Sequence, residues 1–254
     1  MIKVITLSIL CVGVYFADST LQTTKIDRQK TEKSNTLSPL ESLKGWKLLF
    51  DGKSTQGWRG YNNQTLSKDW IIDPKDQSLT LNLHKLENGT WKSEPGDIMT
   101  DAIYENYELR LDWKIDSCGN SGIIYNIVED SSLNATYQSG LEMQILDNNC
   151  HPDGKIIKHR AGDLYDLIKC TVETVKPVGA WNKVRLIQKN GKIEQWLNDV
   201  KVVTCDMNDP NWEKMIASSK FKDMPMFGKS KKGHIALQNH GNRVWFRNIK
   251  IKMI

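Results

Sequence analysis

Tyr107-Glu108-Leu109-Arg110-Leu111-Asp112-Trp113-Lys114-Ile115 alternates apolar and polar or charged side chains without a break. A strand turns that pattern into one apolar and one polar face, whereas a helix of period 3.6 would scatter it around the axis. The same period recurs over Gly122–Val128, Leu141–Leu146, Asn182–Gln188, Lys192–Leu197, His234–Gln238 and Val244–Ile251, with shorter candidates at Trp46–Phe50, Trp70–Ile72, Ser78–Leu83 and Val200–Thr204. Asn190-Gly191, set between two such runs, is a two-residue hairpin turn because both residue types accept positive φ; Asn198-Asp199 makes the next turn. Only Asn211–Ser218 reads as helical, with Asp209 and Pro210 placed as cap and first-turn residues. Many strands and almost no helix predict an all-β chain, a jelly-roll or related sandwich of two antiparallel sheets. Leu109, Leu111, Trp113, Leu141, Met143, Ile145, Leu186 and Leu237 are its expected core.

The 254 residues suit one such domain. With 35 basic and 30 acidic residues the surface is mixed, so the phosphate-tracking stripe of a nucleic-acid binder is not expected. Nine Trp against five Phe is unusual; Trp fills cores and also stacks on sugars. Met1–Ala17 has one lysine followed by an apolar run, the pattern of a secretory signal too short to span a bilayer. Residues 18–40 read as a polar tether and 41–254 as the domain, its fold starting near Leu43. A secreted or periplasmic location follows, with a lipid anchor at Cys11 as one alternative and plain cleavage near Ala17 as the other. Leu10 stands against lipidation, since a lipobox wants a small residue there. The remaining Cys118, Cys150, Cys170 and Cys205 are an even set in an exporting context, and Cys150–Cys170 is the expected bridge, although spacing does not fix connectivity. No C-x-x-C or His-x-x-x-His spacing supports a protein-bound metal; no cofactor is expected, and a bound divalent ion is left open.

Polar groups concentrate in three segments. On a strand over 141–146, Glu142 and Gln144 share the face opposite the core, expected to be open, and Asp147 follows. His159-Arg160-Ala161-Gly162-Asp163-Leu164-Tyr165-Asp166 gathers an imidazole, a guanidinium, a phenol and carboxylates in one loop, where a His–Asp pair can tune a proton donor or acceptor. In Gly233–Gly241, Gln238 and His240 face the same way. Asn120 sits in a turn entering a strand. Each group has an ordinary alternative as a solvated strand face or a loop held by ion pairs. No Gly-x-Ser-x-Gly nucleophile elbow occurs.

The segments Gly45-Trp46-Lys47-Leu48-Leu49-Phe50-Asp51-Gly52-Lys53, Gly119-Asn120-Ser121-Gly122-Ile123, Glu142-Met143-Gln144-Ile145-Leu146-Asp147-Asn148 with His151-Pro152-Asp153, Ala161–Leu167, Trp181-Asn182, Trp196-Leu197-Asn198, Leu237–Gly241 and Phe246–Ile249 resemble the 3-keto-disaccharide hydrolase family of secreted bacterial proteins. The resemblance covers residues 44–254 and implies a concanavalin A-like jelly roll and cleavage of glycosides whose sugar is oxidised at C3. A C3 ketone acidifies the C2 proton, so one base can start an elimination that expels the C1 substituent. Our own reading of the residues makes Glu142 or His159 the base and Tyr165 the acid, with Asp166 beside them. Asn120, Gln144, Asp147, Arg160, Trp196, Gln238 and His240 would bind the carbohydrate. Two alternatives stay open: a lectin-like binding module, and an ordinary glucanase using Glu142 and Asp147, five positions apart.

Overall fold

The computed structural model describes Met1 and residues 33–254. The expected signal segment, Cys11 and most of the tether lie outside the described residues. Strands run in chain order as β1 (Lys47–Leu48), β2 (Trp58–Gly60), β3 (Trp70–Asp73), β4 (Ser78–Leu81), β5 (His84–Lys85), β6 (Trp91–Lys92), β7 (Ile98–Thr100), β8 (Tyr107–Ile115), β9 (Asn120–Ile127), β10 (Leu141–Leu146), β11 (Asn182–Lys189), β12 (Lys192–Leu197), β13 (Val200–Asp206), β14 (His234–Leu237) and β15 (Val244–Met253). One antiparallel sheet has the order β13-β12-β11-β8-β15-β4-β3, with β1 also on β15; a second has the order β10-β9-β14-β7-β2, and β5 and β6 form a separate two-stranded ribbon. The chain is thus an all-β jelly-roll sandwich, as the alternation predicts. Among the described residues no helix is long and apolar enough to cross a membrane.

The core forms where the two apolar faces meet. Leu186 lies opposite Leu109, Val184 opposite Leu111, and Phe246 opposite Trp113, in register across β11, β8 and β15. The second sheet meets them with Ile123, Tyr125, Leu141, Met143, Ile145 and Leu237, and every expected core residue is buried. Five of the tryptophans, at 46, 58, 70, 113 and 212, are buried too. Asn190 and Gly191 have φ of 52° and 78°, and Asn198 and Asp199 of 52° and 67°, so both predicted hairpin turns have the left-handed backbone that their residues admit. The helix spans Trp212–Ala217. Its N-cap position is Asn211, so Asp209 and Pro210 precede the helix rather than capping it and opening its first turn, and the Asp209 carboxylate accepts the Asn211 N–H at 2.7 Å.

Four short strands escaped the periodic reading, among them β2 and β7, because three residues are too few to show a period. The packed fold also begins earlier than composition suggests. Asn35 is buried and exchanges bonds with Asn248, its N–H reaching Asn248 Oδ1 at 2.7 Å and its Oδ1 accepting the Asn248 N–H at 2.8 Å. Asn248, at φ 55°, lies where the β8–β15 register shifts, a bulge that leaves ladder groups for Asn35 to satisfy. A second bulge flips Asn126 (φ 61°) into the core, where its Nδ2 donates to Gln188 Oε1 of the facing sheet at 2.6 Å.

Two expectations need correction here. The bridge joins Cys118 to Cys150, not Cys150 to Cys170, and Cys170 and Cys205 are buried free thiols. The turn before β9 and the turn after β10 lie side by side because those strands pair, whereas Cys170 has folded inward beneath its loop. Nor is the outer face of β10 open: all six of its residues are buried. Loop 161–168 pairs along its free edge, and a small apolar cluster of Met99, Ile124, Ile127 and Ala236 lies on the same sheet.

Non-reducing peptide mapping should recover Cys118 joined to Cys150, with Cys170 and Cys205 alkylated only after unfolding. Reduction frees a separation of 32 residues and should cost about 3.7 kcal/mol by chain entropy. A peptide joining Cys150 to Cys170 would contradict the assignment.

Candidate functional site

β10 is the edge strand of its sheet, and its outward backbone groups need partners. Loop 161–168 supplies them: Gly162 N–H donates to Gln144 O at 2.9 Å, Gln144 N–H to Asp163 O at 3.1 Å, and Tyr165 N–H to Glu142 O at 2.9 Å. This pairing sets Tyr165 and its neighbours beside Glu142. On β9, Gly122 lies opposite Gln144, and a Cβ there would stand 2.1 Å from Glu142 Oε1. The glycine is what lets the Glu142 carboxyl lie across its neighbouring strand, beside the Gln238 amide.

Burial dominates the electrostatics of Glu142 and pushes its carboxyl up to about 8; Lys220 and Gln238 oppose the shift, and Asp97 and Asp153 add to it. The Lys220 amine is lowered by its own burial, offset by Glu142, Asp166 and Asp153. Burial, with Asp153 and Glu142 adding, raises the Tyr165 phenol, so it stays protonated at neutral and mildly alkaline pH. Its hydroxyl donates to Asp153 Oδ2 at 3.1 Å. The His159 ring lies 4.3 Å from the Tyr165 ring and between two carboxylates, with Nε2 3.0 Å from Asp166 Oδ1 and Nδ1 3.6 Å from Asp153 Oδ2. Asp166 is desolvated, yet the Lys220 N–H and His159 outweigh that and hold it below the usual carboxylate range. His240 is lowered by burial and by His151, whose ring is 6.2 Å away. Asp97, recessed between the Thr136 hydroxyl and the Asn239 N–H, is raised by burial. Asp97, Gln238 and His240 border a cleft of about 560 Å³ whose other walls include Tyr61, Asn63, Thr136 and Tyr137.

Glu142, His159, Tyr165, Asp166, Gln238 and His240 therefore belong to one neighbourhood on the outside of the five-stranded sheet. Gln144 faces the same way but is buried, its Oε1 turned to the Ile145 N–H. Asn120 is buried, with its Oδ1 unpartnered among the described residues and its N–H bonded to Asn242. Three others stand apart. Asp147 accepts the Cys118 and Asn149 N–H groups and so closes a turn. Arg160 pairs outward with Glu173 at 2.7 Å. Trp196 is on β12 of the other sheet, stacked by Arg185 and Lys201; its strand alternation gave no hint of which sheet it would join. Asp97, Lys220, His151 and Asp153 were not chosen from sequence. The last two stood in the quoted His151-Pro152-Asp153 motif, but Asp97 and Lys220 lie in segments with no periodic signal. For a metal, only Cys118, Asp147 and Cys150 cluster among the described residues, and sulfurs joined in a disulfide are not thiolate ligands.

Two outcomes test this geometry. Glu142 binds its proton more tightly in the fold than in the unfolded chain, so its contribution to stability is full below about 4.5 and is lost as pH rises to about 8. Thermal melts should therefore show Glu142→Gln gaining on the wild type across that interval and no further above it; parallel curves would place the carboxyl in water. Gly122→Ala should keep the fold at a cost of about 1–3 kcal/mol while displacing the Glu142 carboxyl, read as a fall in the midpoint of its titration.

A family profile described as a 3-keto-alpha-glucoside-1,2-lyase-like domain matches residues 45–252. The chain is 32% identical over 234 residues to a 3-keto-disaccharide hydrolase of Bacteroides thetaiotaomicron, covering 83% of this chain and 79% of that protein. Among solved structures, a Parabacteroides distasonis protein provisionally described as a glycosyl hydrolase superposes with a TM-score of 0.77 at 29% identity, over 87% of this chain and all of the other. A second from that organism, described in the same terms, gives a TM-score of 0.52 at 27% identity, over 78% of this chain and 99% of its own. The chain belongs to the 3-keto-alpha-glucoside-1,2-lyase-like family.

Proposed function

We propose that this protein cleaves glycosides whose sugar carries a ketone at C3, by removal of the C2 proton and elimination at C1. The observation that carries this reading is Glu142, a buried carboxyl raised to about 8 and placed among a cation, a phenol and a His–carboxylate pair. A base with such a proton affinity suits a C–H acid activated by a neighbouring ketone. Glu142 takes the C2 proton and the electron pair moves into the enolate. The C1–O bond then breaks, and the departing oxygen takes the proton of Tyr165. Water restores the site: its hydroxyl adds to C1, its proton returns to Tyr165, and Glu142 gives its proton back to C2. The net change is hydrolysis, with no oxidant consumed.

The glucanase alternative loses its second carboxylate, because Asp147 is engaged by two backbone amides. The lectin-like reading fits less well because the groups are recessed and coupled rather than spread on a shallow aromatic face. We further read the protein as exported, with Cys118–Cys150 supporting an oxidising compartment.

The test is aglycone release from matched 3-keto and unoxidised glucosides. Release from the 3-keto form alone is expected. Glu142→Gln should lower it about 10²–10⁴-fold, and wild-type kcat/KM should rise with pH up to about 8 as Glu142 ionises. Wild-type rates in Glu142→Gln would pass the base role to His159. No release from any 3-keto glycoside would leave the binding-module reading.

A further inference from the structure

Lys220 has no counterpart in the reading of the sequence, and the turn that carries it is tightly held. Phe221, the next residue, is buried and stacks on Phe227 at 3.8 Å with an interplanar angle of 11°. The Phe221 N–H donates to Ser219 Oγ at 3.1 Å, and the Lys220 N–H to Asp166 Oδ2 at 2.7 Å. With Phe221 anchored in the core, the Lys220 side chain lies over the Tyr165 ring, its Nζ 4.0 Å from the ring centroid. That face of the ring gives the ammonium an attractive seat without using its N–H donors. Lys220 is an exposed residue, but its ammonium end lies over Tyr165 and within the field of Glu142, Asp166 and Asp153. Among the described residues it nonetheless makes none of the direct ion pairs that His159 makes with the same two aspartates.

Glu142 is the group in the site that most needs a cation, since its burial disfavours charge and Asp97 and Asp153 disfavour it further. Its other neighbours are the Gln238 amide and Tyr165, neither a cation. Resting on the reading of Glu142 as the base, we propose that Lys220 is the positioning counter-ion of the reaction, the cation that permits Glu142 to ionise inside the fold and then faces the enolate. Charge is conserved in the proton transfer: a carboxylate lone pair forms the new O–H bond on Glu142, the C2–H pair moves into the enolate, and the negative charge appears on the C3 oxygen of the sugar. A cation beside the site would stabilise the charge in either place.

The experiment is a substrate-free titration of the purified protein, with glutamate side-chain carboxyls labelled for NMR and the Glu142 signal identified by its absence in Glu142→Gln. The wild-type midpoint is expected near 8. Lys220→Met should move it upward by about one pH unit or more, as expected for loss of an opposite charge at this range, and Lys220→Arg should restore it. The kcat/KM profile on a 3-keto glucoside should move the same way. A midpoint unmoved or lowered in Lys220→Met overturns the proposal, as does an arginine variant that behaves like methionine. Should Lys220→Met not fold, the nitrogen signal of Lys220 in the wild type serves instead: it should show a step near 8 that Glu142→Gln abolishes, and its absence counts against the pairing. Because these titrations use no sugar, a coupled pair in a protein that cleaves no 3-keto glycoside would overturn the proposed reaction and leave the pair standing.

Discussion

The free edge of β10 governs the functional half of this molecule. An edge strand buried on both faces has backbone groups that water cannot reach, and leaving each unpaired costs on the order of 1–3 kcal/mol. Loop 161–168 satisfies them by running alongside the strand, bonding at Gly162, Gln144 and Tyr165. Once that pairing exists, the position of Tyr165 against Glu142 is fixed by the register. Asp166, at φ 57°, then turns back to receive His159 and the Lys220 amide. The same contact that protects the sheet assembles the site.

A buried carboxyl in such a place is a standing electrostatic strain, and the surrounding residues divide into those that relieve it and those that increase it. Lys220 and Gln238 favour the charged form, while burial, Asp97 and Asp153 favour the neutral one. The balance lies near neutrality, which is where a general base operates. Asp166 shows the opposite outcome in the same cluster: its burial is outweighed by an amide and an imidazole, and it stays ionised. Environment thus separates two carboxyls of nearly equal intrinsic acidity into different roles.

Cys118–Cys150 ties the turn entering β9 to the turn leaving β10. The second turn continues into His151, Pro152 and Asp153, so the covalent tie reaches within a few residues of the Tyr165 and His159 contacts. Asp147 reinforces it by accepting the Cys118 N–H at 2.9 Å. A residue that looked like a second catalytic carboxylate is thereby a fastening of the loop that carries Asp153.

The period of two determined the sheets. Alternation is a local property, and it placed β8, β10 and β12 at their observed bounds and sent Leu141, Met143 and Ile145 to the core. Turn chemistry was local as well, which is why Asn190-Gly191 could be read. The motifs carrying the family resemblance held Glu142, Asp153, Tyr165, Asp166, Gln238 and His240, so much of the candidate cluster was legible before any fold was known. What the chain could not show was which faces get covered. Glu142 reads as an exposed strand residue because its sequence neighbours do not include the loop that buries it. Trp196 alternates correctly but lies on the sheet opposite the Glu142 cluster. Asp97 and Lys220 sit more than a hundred residues apart in unpatterned segments and act on one carboxyl only because the sandwich closes around it. Periodicity reports the direction of a side chain from its own strand; burial, and with it the raised proton affinity of Glu142, depends on elements distant in sequence and is decided by tertiary packing.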